Sequence, residues 1–129
     1  MKIFITGASG FIGKSLLPLL KKHSLMCLCH FQPILSENRN ITIITGDLHE
    51  PDSYIEQLKK FRPDWCIHLA WKGLPNYSVD NSTDNLIASI GLLKNLAHVQ
   101  CKKIFIIGSC WEYGEISGPV IESDTPSSI

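Results

Sequence analysis

The stretch MKIFITGASGFIG, residues 1–13, opens the chain and predicts its fold. A short run of β-branched and aromatic residues leads directly into Gly7, Gly10 and Gly13, and apolar residues at helical spacing follow. This order is typical of a strand, a tight turn and the first turn of a helix. The N–H groups and the positive dipole end of such a helix attract phosphate. We therefore predict an α/β fold with a phosphate-binding turn near residue 10.

The three glycines meet three different requirements of such a turn. Gly7 lets the chain leave the strand sharply, and Gly10 has no Cβ, so a diphosphate could approach the backbone. Gly13 lies where a side chain would hold the helix away from the sheet. Tight strand-to-helix turns that bind nothing also need small residues, so the glycines alone leave a purely structural interpretation open.

Length and charge limit the classes of protein that the chain could represent. Its 129 residues are enough for one domain with a buried core, and its 12 basic and 12 acidic residues cancel. Because no basic run stands out, we predict no nucleic-acid partner. The apolar stretches have the length of strands and the N-terminus lacks the pattern of a cleavable signal, so we predict no membrane association.

The cysteines and histidines are interpreted as structural. The five cysteines, which form no Cys-x-x-Cys pair, are Cys27, Cys29, Cys66, Cys101 and Cys110. We predict reduced thiols in a cytoplasmic protein, and for Cys27 and Cys29, on the same side of one strand, buried packing is favoured over a redox pair. The five histidines lack ligand spacing, so no metal site is predicted.

Apolar patterning divides the rest of the chain into alternating strands and helices. Strands are predicted at residues 25–31, 41–45, 65–70 and 103–108, and helices after residue 11 with a kink at Pro18, after Pro51, and over residues 80–99. The predicted helical faces are Phe11, Ile12, Ser15, Leu16, Leu19 and Leu20; then Tyr54, Ile55, Leu58 and Phe61; then Leu86, Ile90, Leu93, Leu96 and Ala97.

Several of these segments together resemble one family. The strings TGASGFIG at 6–13, GDL at 46–48 and WCIHLA at 65–70 are similar to the cofactor loop, third-strand end and fourth strand of the extended short-chain dehydrogenase/reductases, the NAD(P)-dependent epimerases and dehydratases of nucleotide sugars. The resemblance implies a Rossmann-type, doubly wound parallel sheet of about five strands in the order 3-2-1-4-5. It covers the whole chain but only the N-terminal part of the family fold, so residues 1–129 are expected to be an incomplete NAD(P)-binding domain that stops before the substrate lobe.

The resemblance also implies a set of cofactor-binding residues. They are Thr6, Gly7, Gly10, Phe11, Ile12, Gly13, His30, Asp47, Leu48, Leu69, Ala70 and Asn85. In the family the residue matching Asp47 contacts the adenine amino group, although Asp47 could instead be a turn aspartate that bonds its own backbone. Asn85 could likewise be only a helix cap or a surface residue. His68 matches a family histidine but, between apolar neighbours, is interpreted as a core residue.

His30 lies where dinucleotide-binding domains usually carry an acid for the ribose of NAD or a base for the extra phosphate of NADP. A histidine provides neither a carboxylate nor a full positive charge near neutrality. The sequence therefore predicts NAD or NADP as the cofactor, with a slight preference for NADP. Equally, His30 could be a solvated strand end that plays no part in the choice.

Ser109 is the one catalytic residue that the resemblance implies. It follows the fifth strand and precedes Tyr113-Gly114 by the family spacing, and the family serine helps to orient the reacting sugar oxygen. Alternatively, Ser109 merely ends a strand. The family's Tyr-x-x-x-Lys pair is absent, because the residues four positions after the three tyrosines are Leu58, Asn81 and Ser117. Whether the chain is an enzyme is therefore open; the family favours it, but the chain alone is expected to be inactive.

The sequence supports one leading interpretation and two rivals. The leading one is the NAD(P)-binding portion of a nucleotide-sugar epimerase, dehydratase or reductase, which transfers hydride at a sugar carbon. The first rival is a non-catalytic dinucleotide-binding or regulatory module, or a degenerate truncated gene product. A domain for another adenine nucleotide is disfavoured by the agreement at Asp47, Ala70 and Ser109. The fifth strand would lie exposed at the sheet edge, so we also predict self-association or binding of a complementary fragment through it.

Overall fold

A computed structural model describes residues 1–31, 38–109, 113–114, 118–121 and 123 of the chain. Five parallel strands form one sheet in the order β3-β2-β1-β4-β5, as predicted. The strands are β1 (Lys2–Thr6), β2 (Ser24–Cys29), β3 (Ile41–Thr45), β4 (Trp65–His68) and β5 (Lys103–Ile106). Within the described residues this order confirms the Rossmann-type fold class, with β1 at the centre of the sheet.

Three strands end two residues earlier than predicted. β2 ends at Cys29, β4 at His68 and β5 at Ile106. The strand pairing explains where these strands end, because the last paired residues lie side by side across the sheet. These pairs are Thr6 with His68, His68 with Ile106, and Cys29 with Thr45. The residues that follow leave the sheet together at its carboxyl edge, where loops of parallel sheets form ligand sites.

The helices connect the strands across both faces of the sheet. They are α1 (Phe11–Leu16), α2 (Ile55–Phe61), which follows a 3₁₀ turn at Pro51–Ser53, and α3 (Val79–His98). α1 is shorter than the predicted helix. Pro18 has no N–H to bond the Lys14 carbonyl, so the helix ends at Leu16 and continues as turns instead of kinking.

The core has one layer on each face of the central strand. Phe4 packs on one side with Tyr54 and Leu58, which lie between β3 and β4, and with Leu92 and Leu96 of α3, all fully buried. The two rings of Phe4 and Tyr54 lie stacked, with centroids 6.4 Å apart. The opposite layer contains Ile3, Ile5, Leu25, Cys27, Cys29, Ala8 and Leu17. Adjacent residues of β1 thus face opposite layers, as expected for a strand covered on both sides.

The predicted faces of α1 and α3 were wrong in part. Leu86 and Ile90 are exposed, whereas Asn85, Ala88 and Leu92 of the same helix are buried beside Leu96. The helix is rotated because Asn85 is hydrogen-bonded to the loop after β4, which turns a polar residue inward.

In α1 the difference has another cause. Phe11 and Leu19 are exposed, and this segment faces the sheet through Gly13 and Leu17. A glycine has no side chain to add to an apolar pattern, so the pattern marked the wrong face. By contrast, Tyr54 and Leu58 of the second helical face are buried as predicted.

The described cysteines are Cys27, Cys29, Cys66 and Cys101, and all four are free thiols. Burial raises the pKa of the Cys27 thiol to about 12, with a smaller contribution from the neighbouring Cys29. Burial likewise raises the pKa of Cys66. These thiols therefore stay protonated and pack as small apolar side chains, as the sequence indicated. Cys110 lies outside the described residues.

We expect Gly13→Ala to destabilise the protein. A Cβ at this position would lie 2.5 Å from the Cα and carbonyl oxygen of Ala8 and from the Gly7 carbonyl oxygen, all backbone atoms. The helix would have to move away from the turn, at a cost of about 1–3 kcal/mol in unfolding free energy, measured by urea titration. The matched control is Gly91→Ala in α3, where no atom lies within 4 Å of the new Cβ and a gain of about 0.5–1 kcal/mol is expected. Equal stability of the two variants would contradict this account.

Candidate functional site

A cavity of about 490 Å³ opens at the carboxyl edge of the sheet. The loops after β1, β2, β3 and β4 and the first half of α3 surround it. It is lined by all twelve residues predicted to bind a cofactor: Thr6, Gly7, Gly10, Phe11, Ile12, Gly13, His30, Asp47, Leu48, Leu69, Ala70 and Asn85. Residues that are far apart in the sequence are thus brought to one concave site.

The glycine-rich turn forms one wall of the cavity. Gly7 has a positive φ of 72°, and a Cβ there would lie 2.7 Å from the nitrogen of Ala70. The Gly10 N–H donates to the Gly7 carbonyl oxygen at 3.0 Å, which closes the turn. A Cβ on Gly10 would have one neighbour, the Gly7 oxygen at 3.2 Å, so this position faces open space. The turn therefore leaves room for a ligand at Gly10 and none at Gly7.

Beyond the turn, Phe11 and Ile12 begin α1 with their side chains largely outside the core. Their backbone N–H groups have no partner within the helix, since the first turn of any helix lacks earlier carbonyls. The residues that sequence patterning assigned to a helical face therefore lie at the cavity instead. Their apolar side chains can cover a bound ligand while their N–H groups point toward it.

His30 and Asp47 meet at the end of the cavity formed by β2 and β3. Nε2 of His30 lies 3.1 Å from Oδ2 of Asp47, and both side chains remain partly exposed. The sheet register places them together, because Cys29 pairs with Thr45 and each side chain follows shortly after its strand. The ring of Phe31 packs against that of His30, with centroids 3.6 Å apart. His30 and Asp47, which are 17 positions apart in the sequence, thus form one pair in the structure.

Asp47 also organises its own loop. Oδ1 accepts a hydrogen bond from the backbone N–H of His49 at 2.9 Å, the geometry of a turn aspartate. The backbone N–H of Asp47 in turn donates to Oγ of Ser53 at 3.0 Å. The turn role that the sequence left as an alternative is therefore present, and it fixes the carboxylate with Oδ2 toward His30.

A buried polar network lies beneath the cavity. Oγ1 of Thr6 and Nδ1 of His68 are 2.6 Å apart, and Nε2 of His68 is 3.0 Å from Oγ of Ser89. The Thr6 oxygen also accepts from the backbone N–H of Ala70 at 3.3 Å. His68 thus connects β1, β4 and α3 under the loop residues, and the prediction of a satisfied core histidine is supported by these contacts.

The network specifies the position of each proton. Ser89 donates its hydroxyl hydrogen to the Asn85 carbonyl at 2.7 Å, so its oxygen must accept from Nε2–H of His68. Nδ1 of a neutral His68 then accepts from the hydroxyl of Thr6, whose oxygen accepts from Ala70. Burial lowers the pKa of His68 and favours this neutral form. A second ring proton on Nδ1 would reverse the bond to Thr6, whose oxygen would then have to accept from both Nδ1 and the Ala70 N–H.

Asn85 holds the loop that follows β4. Its Oδ1 accepts from the backbone N–H of Lys72 at 2.7 Å, and its Nδ2 donates to the Lys72 carbonyl at 3.0 Å and to the Asn81 carbonyl at 2.8 Å. Asn85 is neither a cap nor a surface residue, because Ser78 caps α3 and Asn85 is buried. It lines the cavity but uses its amide to shape the loop.

Ser109 does not share this position. It is exposed, three residues beyond the end of β5, and is not among the residues that line the cavity. Tyr113 and Gly114 are described, whereas Cys110, Trp111 and Glu112 between them and Ser109 lie outside the described residues.

The structure adds lining residues that sequence analysis did not select: Ser9, Leu28, Cys29, Gly46, His49, Trp71, Lys72, Leu74, Ala88 and Ser89. Most lie beside a selected residue at a strand end. Ser89 could have been identified from the sequence, because it lies one helical turn after Asn85 and so on the same face of α3. Trp71 and Lys72 follow Ala70 in the loop after β4.

The turn, the strand order and the cavity define the class of protein. They are those of a Rossmann-type domain, the class that binds dinucleotides. Comparison with known proteins identifies the family: residues 3–128 match the NAD dependent epimerase/dehydratase family, and the chain belongs to it. The resemblance noted in the sequence is thereby confirmed.

Individual relatives agree with this assignment. GDP-6-deoxy-D-talose 4-dehydrogenase of Aggregatibacter actinomycetemcomitans is 32% identical over 120 residues, which cover 92% of this chain and 37% of the relative. UDP-glucose 4-epimerase of Pisum sativum is 26% identical over 133 residues, 88% of this chain and 38% of the relative. The chain thus spans less than half the length of these relatives.

Solved structures show the same fold. WbmG of Bordetella bronchiseptica, solved in complex with NAD, superposes with a TM-score of 0.85 at 19% identity, covering 99% of this chain and 44% of that one. UDP-glucose 4-epimerase of Thermotoga maritima, solved with UDP-glucose, gives a TM-score of 0.81 at 24% identity, covering 100% and 45%. No helix among the described residues is long and apolar enough to cross a membrane.

We expect the buried network to make stability depend on pH. The pKa of His68 is lowered in the folded protein. The contribution of the neutral His68 network to the free energy of unfolding is therefore complete above the ordinary pKa of 6.5, and it is lost as the pH falls below that value. Urea unfolding at about pH 8 and about pH 5.5 measures this effect. Between the higher and the lower pH, the free energy of unfolding should fall more for the wild type than for His68→Gln, whose side chain cannot titrate. The control, His98→Gln at the exposed end of α3, should keep the wild-type dependence. The same pH dependence in His68→Gln as in the wild type would refute this role.

Proposed function

We propose that residues 1–129 form the NAD(P)-binding portion of a nucleotide-sugar epimerase, dehydratase or reductase. The observation that carries this proposal is the cavity at the carboxyl edge, because it gathers every residue that the sequence selected for a cofactor. Family membership supports the proposal, and several relatives and solved neighbours are named as epimerases or dehydrogenases of nucleotide sugars.

The residues present fit a dinucleotide. The open side of Gly10, beside the N–H groups of Phe11 and Ile12, is suited to a diphosphate. His30, Asp47 and Leu48 then lie at the end that would take the adenosine half.

The loop after β4, held by Asn85, lies toward the end that would take the nicotinamide half. When bound, NAD(P) supplies hydride acceptance and return, and this chain's share is to bind and orient it. Ala70 suits this position because its small side chain lets the ligand approach the backbone, while its N–H is already bonded to Thr6.

The choice between NAD and NADP is a separate question. The family is NAD dependent, and WbmG binds NAD in its solved complex. The preference for NADP that His30 suggested stays a prediction, and competition between the two cofactors for the same chain tests it.

Substrate and catalysis belong to the proposal for the whole protein. We propose a nucleotide sugar as substrate and Ser109 as the residue that orients its reacting oxygen, although Ser109 lies outside the cavity lining. The rival interpretation is a binding or regulatory module without turnover. Hydride transfer to bound cofactor on addition of nucleotide sugars would contradict the rival.

A cytoplasmic location forms part of the same proposal. The described cysteines are free thiols, and Cys27, Cys29 and Cys66 are buried, as expected for a protein of a reducing compartment.

The test of cofactor binding is Gly10→Val. The new side chain would project from the turn into the cavity, where the only neighbour of its Cβ is the Gly7 oxygen at 3.2 Å, so the fold should survive with a small adjustment. We expect affinity for NAD and NADP, measured by isothermal titration calorimetry, to fall by about tenfold or more, equivalent to 1.4 kcal/mol.

Gly91→Ala provides the control, because it adds a methyl group away from the cavity and should leave affinity unchanged. Circular dichroism of both variants checks that they fold. Wild-type affinity in a folded Gly10→Val would remove the basis of the proposal, as would the absence of binding by the wild-type chain.

We further propose that β5 pairs with polypeptide at its outer edge, either a second copy of the chain or a complementary fragment. Within the described residues β5 has a neighbour, β4, on one side only. Its residues Phe105 and Ile106 and the following Ile107 are exposed although apolar. An edge of this kind offers unpaired N–H and C=O groups to another strand.

Ile106→Lys tests this edge. A charge at an edge position opposes strand pairing, so the variant should be monomeric at concentrations where the wild type associates, as judged by light scattering. Leu19→Lys is the control, since Leu19 is also an exposed apolar residue but lies far from β5 in the chain, and the substitution should leave association unchanged. A wild type that stays monomeric up to crystallisation concentrations would rule the proposal out.

A further inference from the structure

We propose that His68 positions the loop after β4 from beneath the cavity, and that this loop holds a bound ligand only while the imidazole is neutral. The inference rests on the proposed dinucleotide site and adds to it a residue that does not line the cavity. His68 is buried at the carboxyl end of β4, and both of its ring nitrogens have partners. Because it acts through these partners, it is a positioning residue and not a catalytic one.

One ring nitrogen is connected to the start of the loop. Nδ1 lies 2.6 Å from Oγ1 of Thr6, and the same oxygen accepts the backbone N–H of Ala70 at 3.3 Å. Thr6 therefore donates its hydroxyl hydrogen to Nδ1 and accepts from Ala70 with the same group. Through Thr6, the imidazole fixes the backbone of the residue that precedes Trp71.

The other ring nitrogen is connected to the residue that follows Trp71. Nε2 lies 3.0 Å from Oγ of Ser89, whose hydroxyl donates to the Asn85 carbonyl at 2.7 Å. The Asn85 amide bonds both the N–H and the carbonyl of Lys72, at 2.7 and 3.0 Å. One imidazole is thus linked to the backbone on both sides of Trp71, an exposed residue that lines the cavity.

A second proton on His68 disturbs this arrangement on one side. Nδ1 becomes a donor, so the Thr6 oxygen would have to accept from both Nδ1 and Ala70, and the Thr6 hydrogen would lose its acceptor. The contact with Ser89 survives, because Nε2 donates in both protonation states. The start of the loop is therefore the part that we expect to move.

The surroundings of the imidazole do not compensate for a positive charge. Its side-chain partners are the hydroxyls of Thr6 and Ser89, and its neighbour in β5 is Ile106. Burial lowers the pKa of His68, and burial also keeps the thiol of Cys66 in the same strand protonated. The other titratable residues of β1, β5 and α3 are all exposed: Lys2, Lys103, Asp80, Asp84, Lys94 and His98.

Ligand binding should therefore be linked to the proton of His68. A ligand seated on the loop excludes water from the network beneath it, which disfavours the charged imidazole further. Where His68 is partly charged in the free chain, binding then releases a proton, and affinity falls as the pH falls below the ordinary pKa of 6.5. Well above that value His68 is neutral in both states, and affinity no longer depends on its proton.

The first measurement uses the free chain and so needs no cofactor. Nuclear magnetic resonance of the ring nitrogens should show the hydrogen of His68 on Nε2 at about pH 8. As the pH is lowered to about 5.5, the backbone amide signal of Ala70 should shift with the titration of His68. The amide signal of Lys72 should shift less, because the Ser89 contact is kept. In His68→Gln, the shift of Ala70 should disappear.

The second measurement is the dissociation constant of NAD at about pH 8 and about pH 5.5, by isothermal titration calorimetry. Affinity should fall by about three- to tenfold more in the wild type than in His68→Gln, whose amide can accept from Thr6 and donate to Ser89 but cannot titrate. At the higher pH, His68→Gln should bind almost as tightly as the wild type. His68→Leu, which makes neither bond, should bind more weakly there by about two- to tenfold.

The same calorimetry counts protons. Heats measured in buffers of different ionisation enthalpy should show proton release on NAD binding at the lower pH, and less release in His68→Gln. His30 and His49 line the cavity and titrate in the same range, so His30→Gln and His49→Gln are examined as well. Each should keep the part of the pH dependence that His68→Gln lacks. His98→Gln, exposed and outside the cavity lining, should change neither affinity nor its pH dependence.

Three results would overturn this inference while the proposed site stands. They are a hydrogen on Nδ1 of neutral His68, NAD binding with the same pH dependence in the wild type and His68→Gln, and wild-type affinity at the higher pH in a folded His68→Leu. Circular dichroism checks folding, and if His68→Leu does not fold, the comparison with His68→Gln decides. A wild-type chain that binds no NAD would overturn the proposed function and the linkage with it, and the resonance measurement would then decide the positioning role alone.

Discussion

The contact between the first loop and the end of β4 is the constraint on which the site depends. Gly7 adopts a left-handed conformation with its backbone directly against Leu69 and Ala70, so close that no Cβ fits. The carbonyl of Thr6 accepts the N–H of Leu69 at 3.1 Å, and the Thr6 hydroxyl accepts that of Ala70. These contacts set where α1 begins, and they bring the glycine-rich turn and the loop after β4 to the same cavity. The strand, the turn and the small residue at 70 satisfy this constraint together.

Below this contact, polar side chains replace the apolar packing used elsewhere in the sheet. Thr6, His68 and Ser89 form a continuous hydrogen-bonded path from β1 through β4 to α3. Asn85, one turn before Ser89, then holds the backbone of Lys72. A buried polar group is costly unless it is paired, and every member here has a partner, so the path fixes the rotation of α3 as well as the shape of the loop. The cavity is thus supported by side chains that a ligand need not touch.

The glycine turn was predicted from a local pattern, and the resemblance to the family implied the strand order and twelve of the residues that line the cavity. It did not predict the rotation of α3, where Leu86 and Ile90 fit helical spacing but are exposed. The spacing of apolar residues cannot reveal that an asparagine faces inward, because the partner of Asn85 is a backbone group 13 residues away in the sequence. The buried face of α1 was missed in a related way, since its contact with the sheet is made by Gly13, which adds nothing to an apolar pattern. Ser109 was selected from spacing alone, and the cavity lining does not include it.

The pairing of His30 with Asp47 shows why residue identity at a single position is a poor guide to the hydrogen bonds that a side chain makes. A histidine at the end of β2 is ambiguous by itself, because its two nitrogens can donate, accept or carry charge. That ambiguity is removed by a residue 17 positions later, which the register of β2 with β3 brings within hydrogen-bonding distance. The contact between His30 and Asp47 is therefore a property of two adjacent strand ends, and it follows from the order of the sheet.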